Sequence, residues 1–184
     1  MVLDVFVEGC DESFSCGYVG FTRFRCEILR GWNQELGELY EKNYGYLWDE
    51  NDNSASLGFL HMIAVYNSKQ RNETQEKINK ILDEYDRPYN EGMKIFANHS
   101  DCDGEITPKE CVLVLDAFKR VNPDKFDNSN KEHNEWFRES YDIWIKMLKY
   151  AVDNMPFYLY LFYLPLNNQN YHIYDLSFFC LYMI

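Results

Sequence analysis

Apolar side chains recur at three- and four-residue spacing along several stretches of the chain. In Glu73–Tyr85 they fall at Ile78, Ile81, Leu82 and Tyr85, which is the stripe that a surface helix buries. Other helices are predicted over Phe21–Trp32, Gln34–Trp48, Leu57–Tyr66, Tyr89–Ala97, Pro108–Val121 and Asn134–Val152. This spacing predicts a mainly α fold, because strands would need a period of two.

Two stretches depart from the helical pattern. Residues 2–8 (VLDVFVE) alternate and are rich in β-formers, so they predict a short N-terminal strand. The apolar run Met155–Leu166 is interrupted by two prolines and is too short for a bilayer span of roughly 20 residues. We interpret it as buried core. The aromatic segment 155–184 ends in a tail, Asn167–Ile184, that fits a strand or a helix equally well.

The length of 184 residues predicts one compact domain covering 1–184, mainly α with α+β as the alternative. Fifteen tyrosines and 13 phenylalanines predict a core of packed aromatic rings.

An excess of acidic groups limits the partners of the chain. There are 30 acidic and 18 basic side chains, which gives a formal net charge of −12. Nucleic acids and anionic membranes are bound through Lys and Arg, so this charge argues against both and favours cations. The N-terminus lacks a signal-peptide pattern. Six scattered cysteines without a CxxC pair are therefore expected to be reduced, in the cytoplasm of a bacterium or of a phage-infected host.

The most specific stretch is His99–Glu110, with the sequence HSDCDGEITPKE. It places four carboxylates and one lysine around Gly104. Such crowding of negative charge is costly unless a cation lies among the carboxylates. Alternate oxygen-bearing residues on a tight loop can point inward toward a hard cation, which takes six to eight oxygen ligands.

This stretch resembles the calcium-binding loop of the EF-hand family, with Gly104 at position 6. The resemblance implies a helix–loop–helix unit in which Ile106, at position 8, packs into the core. It also implies that Gly104 adopts the positive φ of a sharp turn. The implied ligands of Ca²⁺, at positions 1, 3, 5, 7, 9 and 12, are His99, Asp101, Asp103, Glu105, Thr107 and Glu110.

Two features of the loop leave alternatives open. His99 stands where the family prefers Asp, and imidazole suits Zn²⁺ and other transition metals better than Ca²⁺. His99, Cys102 and Cys111 would supply three zinc ligands, although their spacing matches no structural zinc motif. A second EF-hand loop is not found, since Asp49–Leu60 lacks Gly at position 6 and Glu at position 12.

A capping box offers an explanation of the loop without metal. Thr107 can be the N-cap of the following helix, with Pro108 at N1 and Glu110 at N3. Asp101 and Asp103 can form turns around the glycine.

Two strings together resemble a group of small bacterial and phage-encoded proteins. They are Tyr18–Arg25 (YVGFTRFR) and Asn98–Glu105 (NHSDCDGE). The resemblance implies a compact intracellular protein and transfers no activity. Under it, Arg23 and Arg25 could face the acidic loop, but the interpretation we favour is a solvated helix face paired with Glu27.

Three functions fit these patterns. The first is a divalent-cation-binding accessory protein, with Ca²⁺ ahead of Zn²⁺. The second is an interaction or sequestering protein for a protein or small molecule, in which the acidic loop is structural. The third is a metal-dependent hydrolase that uses His99 and the carboxylates around an activated water. An enzyme is the least favoured, because no second cluster of polar residues could place a substrate.

Overall fold

A computed structural model describes residues 2–44, 68–99, 103–126, 131–154 and 159–164. This part of the chain is mostly helical, as the spacing of apolar residues predicted. Its helices are α1 (Tyr18–Trp32), α2 (Gln34–Tyr44), α3 (Ser68–Glu84), α4 (Asn90–Asn98), α5 (Pro108–Phe118) and α6 (Lys131–Asp153). A short 3-10 turn, Pro123–Lys125, lies between α5 and α6.

An antiparallel sheet of four strands accompanies the helices. The strands are β1 (Val2–Val7), β2 (Ser13–Gly17), β3 (Asp103–Ile106) and β4 (Leu159–Leu164). Their order across the sheet is β2-β1-β4-β3. The predicted N-terminal strand is therefore confirmed as β1. Within the apolar run that we interpreted as core, Leu159–Leu164 forms β4, between β1 and β3.

One row of paired residues joins the acidic loop to the sheet. Val7 of β1 pairs with Leu159 of β4, and Leu159 pairs on its other side with Ile106 of β3. All three side chains are at most 2% exposed. Ile106 thus packs into the core, as expected for position 8 of the loop. Its burial fixes the end of the loop against the sheet.

A cluster of aromatic rings forms the centre of the core. The indole of Trp144 on α6 is fully buried. Five phenylalanines from β2, α1, α4 and α5 have ring centroids 5.5–6.2 Å from the Trp144 centroid: Phe14, Phe21, Phe24, Phe96 and Phe118. The predicted aromatic core is therefore confirmed within the described residues.

The two helices beside the acidic loop cross at very short distance. Gly92 of α4 lies directly against the backbone of α5, and a Cβ at this glycine would overlap the carbonyl group of Leu113. Glycine is required here because of the close approach of two backbones. The crossing fixes how α4 and α5 lead into and out of the loop.

Several sequence predictions differ from the structure or lie outside the described residues. Strand β2 was not predicted. The predicted helix Leu57–Tyr66 and the tail Asn167–Ile184 are not among the described residues.

Two further properties concern the described part of the chain alone. It contains no helix that is long and apolar enough to cross a membrane. Its four cysteines, Cys10, Cys16, Cys26 and Cys111, are free thiols.

The crossing of α4 and α5 gives a first testable prediction. Gly92→Ala forces α4 away from α5, so we expect the free energy of unfolding to fall by about 2–3 kcal/mol. The measurement is urea unfolding followed by tryptophan fluorescence.

Gly17→Ala is the matched control for this prediction. Nothing lies within 4 Å of a Cβ at Gly17, and its φ of −69° suits any residue. We expect the stability of this variant to stay within about 1 kcal/mol of the parent, because alanine is a poorer helix N-cap than glycine but has less conformational freedom in the unfolded chain. Equal stability of the two variants would contradict the proposed close contact.

Candidate cation-binding loop

The acidic stretch lies between two helices, as the sequence predicted. Helix α4 ends at Asn98, β3 covers positions 5–8 of the stretch, and α5 begins at Pro108. Residues His99, Asp103–Glu110 and the helices on both sides are described, whereas Ser100, Asp101 and Cys102 are not. The geometry of the site is therefore built from its two ends.

The exit from the loop is a complete capping box. The Thr107 hydroxyl accepts a hydrogen bond from the Glu110 amide at 3.3 Å. In return the Glu110 carboxylate oxygen Oε2 accepts from the Thr107 amide at 2.9 Å and from the Thr107 hydroxyl at 2.7 Å. The predicted cap is confirmed. Both hydrogen bonds to the carboxylate use Oε2, so Oε1 takes no part in the cap.

The capping box favours the charged form of Glu110. Hydrogen bonds from the Thr107 side chain and, second, from its backbone lower the pKa of the Glu110 carboxyl below its ordinary value of 4.5. The positive charge of a protonated His99 lowers this pKa further. Glu110 is therefore a carboxylate at neutral pH, which is the form that a metal ligand needs.

The entrance and the middle of the loop meet through His99. Its ring nitrogen Nε2 donates to the Glu105 carbonyl oxygen at 3.1 Å. This carbonyl is the group that position 7 would offer to a cation. Positions 1 and 7 of the predicted site therefore face each other, while the carboxylate of Glu105 is exposed.

The predicted reason for Gly104 is wrong. Gly104 belongs to β3 and does not have a positive φ. A Cβ added to it would lie 2.5 Å from Cε1 of the His99 ring. The glycine is thus needed because the imidazole lies against the strand, and backbone conformation is not the cause.

A buried arginine contacts the entrance of the loop from α1. The side chain of Arg25 donates from Nη2 to the His99 carbonyl at 3.0 Å and from Nη1 to the Tyr40 hydroxyl at 3.2 Å. The Tyr40 hydroxyl donates in turn to the Ala97 carbonyl at 3.5 Å. Two carbonyls at the end of α4 are thereby satisfied by groups from α1 and α2.

The favoured interpretation of Arg25 as part of a solvated helix face is wrong. Arg25 is 4% exposed, and the Glu27 carboxylate accepts a hydrogen bond from Arg30. The signal in the sequence was its position four residues after Phe21 and three before Ile28, on the apolar stripe of α1. A charged residue on such a stripe predicts a specific buried partner.

The remaining predicted ligands are described only in part. Asp101, Cys102 and the side chain of Asp103 lie outside the described set. Among the side chains that the structure does describe, no three His, Cys, Asp or Glu groups lie close enough together to hold a metal ion. The Ca²⁺ ligand set of His99, Asp101, Asp103, Glu105, Thr107 and Glu110 stays a prediction.

The zinc alternative loses support at Cys111. Its thiol is fully buried and donates to the Ile106 carbonyl, with 3.6 Å between sulfur and oxygen. Burial raises the pKa of Cys111 to about 11. Zinc binds thiolates, so this environment opposes the form that the metal needs.

The contact between His99 and Gly104 gives a second prediction. Gly104→Ala displaces the imidazole from the Glu105 carbonyl, so we expect a loss of about 0.5–1.5 kcal/mol in the free energy of unfolding. In a His99→Ala background the same substitution should cost almost nothing. A double-mutant cycle from urea unfolding measures this coupling, and additive effects would contradict the contact.

The capping box gives a third prediction, concerning pH. Thr107→Ala should lower the free energy of unfolding by about 0.5–2 kcal/mol at pH 7. Because the pKa of Glu110 is lowered in the folded protein, the stabilisation that it provides is present above about pH 4.5 and lost as pH falls through the lowered value. The difference between parent and variant should therefore shrink between pH 5 and pH 3. A difference that stays constant over this range would contradict the role of the carboxylate.

Comparisons with known proteins complete the description of the site. No protein-family model, curated protein or solved structure matches this chain. The resemblance of the loop to EF-hands, and that of the two strings to small bacterial and phage-encoded proteins, therefore stay predictions.

Proposed function

We propose that this chain is a divalent-cation-binding protein whose site is the loop His99–Glu110, with Ca²⁺ as its cation. The observation that carries the proposal is the contact between the entrance and the middle of the loop. The His99 ring lies at the Glu105 carbonyl, with 3.1 Å between Nε2 and the oxygen. Positions 1 and 7 of the predicted loop thus face each other, as ligands of a single central cation would.

The chemistry of the available groups supports a hard cation over zinc. Glu110 is charged at neutral pH and keeps Oε1 outside the capping box. The Glu105 carbonyl adds a neutral oxygen. Oxygen ligands of this kind suit Ca²⁺ and Mg²⁺. A lone loop with histidine at its first position should bind weakly, with a Kd on the order of 10⁻⁴–10⁻³ M.

A cation titration tests this function and is the fourth prediction. At 10 mM Ca²⁺, a Kd in this range stabilises the protein by about 1.4–2.7 kcal/mol. We expect the melting temperature to rise by roughly 3–10 °C. The measurement is differential scanning fluorimetry with Ca²⁺, Mg²⁺, Mn²⁺ and Zn²⁺ in turn, supported by native mass spectrometry of the purified protein.

Two glutamate variants show whether the loop is the site of binding. Glu110→Gln keeps the capping box, which accepts Gln at N3, but removes the charge that a cation needs. It should abolish the rise in melting temperature and cost the metal-free protein only the part of its stability that depends on the charge of Glu110. Glu105→Gln is the matched control, since position 7 offers its carbonyl and the Glu105 side chain is exposed. Equal responses of the two variants to Ca²⁺ would contradict this site.

A second function is supported by the hydrogen bonds that the polar groups of the loop make within the protein. The capping box, the hydrogen bond from His99 to Glu105 and that from Arg25 to His99 all join protein groups to one another. We propose as the alternative an interaction protein in which the loop is structural. Unchanged melting temperatures with all four cations would decide for this alternative. Asp101→Asn combined with Asp103→Asn should then leave partner binding intact.

A further inference from the structure

The end of α4 is held by two side chains that are far away in sequence. Helix ends leave carbonyl groups without partners inside the helix. At the end of α4, the Ala97 carbonyl accepts from the Tyr40 hydroxyl, and the His99 carbonyl accepts from the Arg25 guanidinium. A hydrogen bond between Arg25 and Tyr40 links the two donors. The pair therefore joins the α1–α2 hairpin to the entrance of the loop.

The site is built for arginine in particular. The guanidinium lies 4.6 Å from the centre of the Phe21 ring and 5.8 Å from the centre of the Phe96 ring. A planar guanidinium can stack on rings and donate in two fixed directions at once, which a lysine ammonium cannot do. Its charge also suits the negative end of the α4 dipole. Stacking on the two rings, the fixed donor directions and the positive charge together orient the hydrogen bond from Arg25 to the His99 carbonyl.

We propose that Arg25 is the positioning residue of the loop. By holding the His99 carbonyl, the Arg25 side chain fixes the position of the His99 backbone. It thereby places the imidazole ring against Gly104 and at the Glu105 carbonyl. His99, at position 1, is thereby held next to the Glu105 carbonyl, at position 7, as the proposed cation site requires. The effect of Arg25 on cation affinity rests on the proposed function, whereas its effect on the position of the His99 ring does not.

The experiment, which is the fifth prediction, observes the His99 ring directly. The chain has four histidines, so ¹³C-labelled histidine gives a simple NMR spectrum in which His99→Gln identifies the His99 signal. In metal-free Arg25→Lys we expect this signal to move to the position of a solvent-exposed imidazole. Affinity for Ca²⁺, measured by calorimetry, should fall about tenfold, as expected for the loss of a charge-assisted hydrogen bond.

Arg30→Lys is the matched control. Arg30 lies on the same helix, is also buried and contacts Glu27 and Glu41. The control should lose stability without moving the His99 signal or changing the Ca²⁺ affinity. If Arg25→Lys does not fold, Tyr40→Phe decides, because it removes one of the two hydrogen bonds that orient the Arg25 guanidinium toward the His99 carbonyl. Movement of the His99 signal in Tyr40→Phe then supports the proposal, and an unmoved signal overturns it.

The outcomes separate this inference from the proposed function. An unmoved His99 signal in folded Arg25→Lys overturns the positioning role. A moved His99 signal in Arg25→Lys supports the positioning role even if the parent protein binds none of the cations. Absence of cation binding by the parent would remove the proposed function and leave the positioning role standing. A moved signal combined with unchanged Ca²⁺ affinity overturns the claim that Arg25 acts on the cation.

Discussion

The burial of Trp144 among five phenylalanines is the interaction on which the rest of the described structure depends. The rings around it come from β2, α1, α4 and α5. Removing the indole would leave these elements without a common contact and would open a large cavity. Phe96 and Phe118 lie on the two helices that frame the acidic loop, so the position of the loop follows from the packing of this cluster.

Electrostatics around the loop show how hydrogen-bond donors stabilise a carboxylate and a carbonyl oxygen of the acidic stretch. Three donors oppose the negative charge: the Thr107 amide and hydroxyl at the exit, and the His99 ring in the middle. Arg25 adds a buried positive charge at the entrance. Each of them lowers the free energy of an acidic or carbonyl oxygen locally. The proposed cation would act on the same oxygens as these protein donors.

The helices could be predicted from the sequence because their signal is local. The stripe Ile78, Ile81 and Leu82 defines α3, and Thr107-Pro108 with Glu110 marks the start of α5 within the chain itself. Strand β2 could not be predicted in this way, because Ser13–Gly17 is short and mostly polar and becomes a strand only through pairing with β1. The apolar run around Leu159 predicted burial, which is confirmed at Leu159 itself, but its strand depends on two partners that are distant in sequence.

The same limit applies to the candidate site, whose local features could be predicted and whose long-range contacts could not. The spacing of acidic residues around Gly104 indicated the loop and its exit cap. It could not indicate that the His99 ring lies against Gly104, or that Arg25 and Tyr40 reach the end of α4, because these contacts join residues from separate helices. Arg25 was assigned to solvent from its charge alone. Its place between Phe21 and Ile28 on one face of α1 was the better guide.

The pairing of β3 with β4 limits what this loop can do with whatever it binds. Sensor proteins of the EF-hand type respond to calcium by swinging their two helices apart and exposing a groove. Here Ile106 of β3 pairs with Leu159 of β4, and Gly92 allows the backbones of α4 and α5 to be in contact. An opening motion would have to break both. If the proposed cation binds here, these two contacts would hold β3, α4 and α5 in place, so occupancy would change the stability of this region and leave its arrangement almost unaltered.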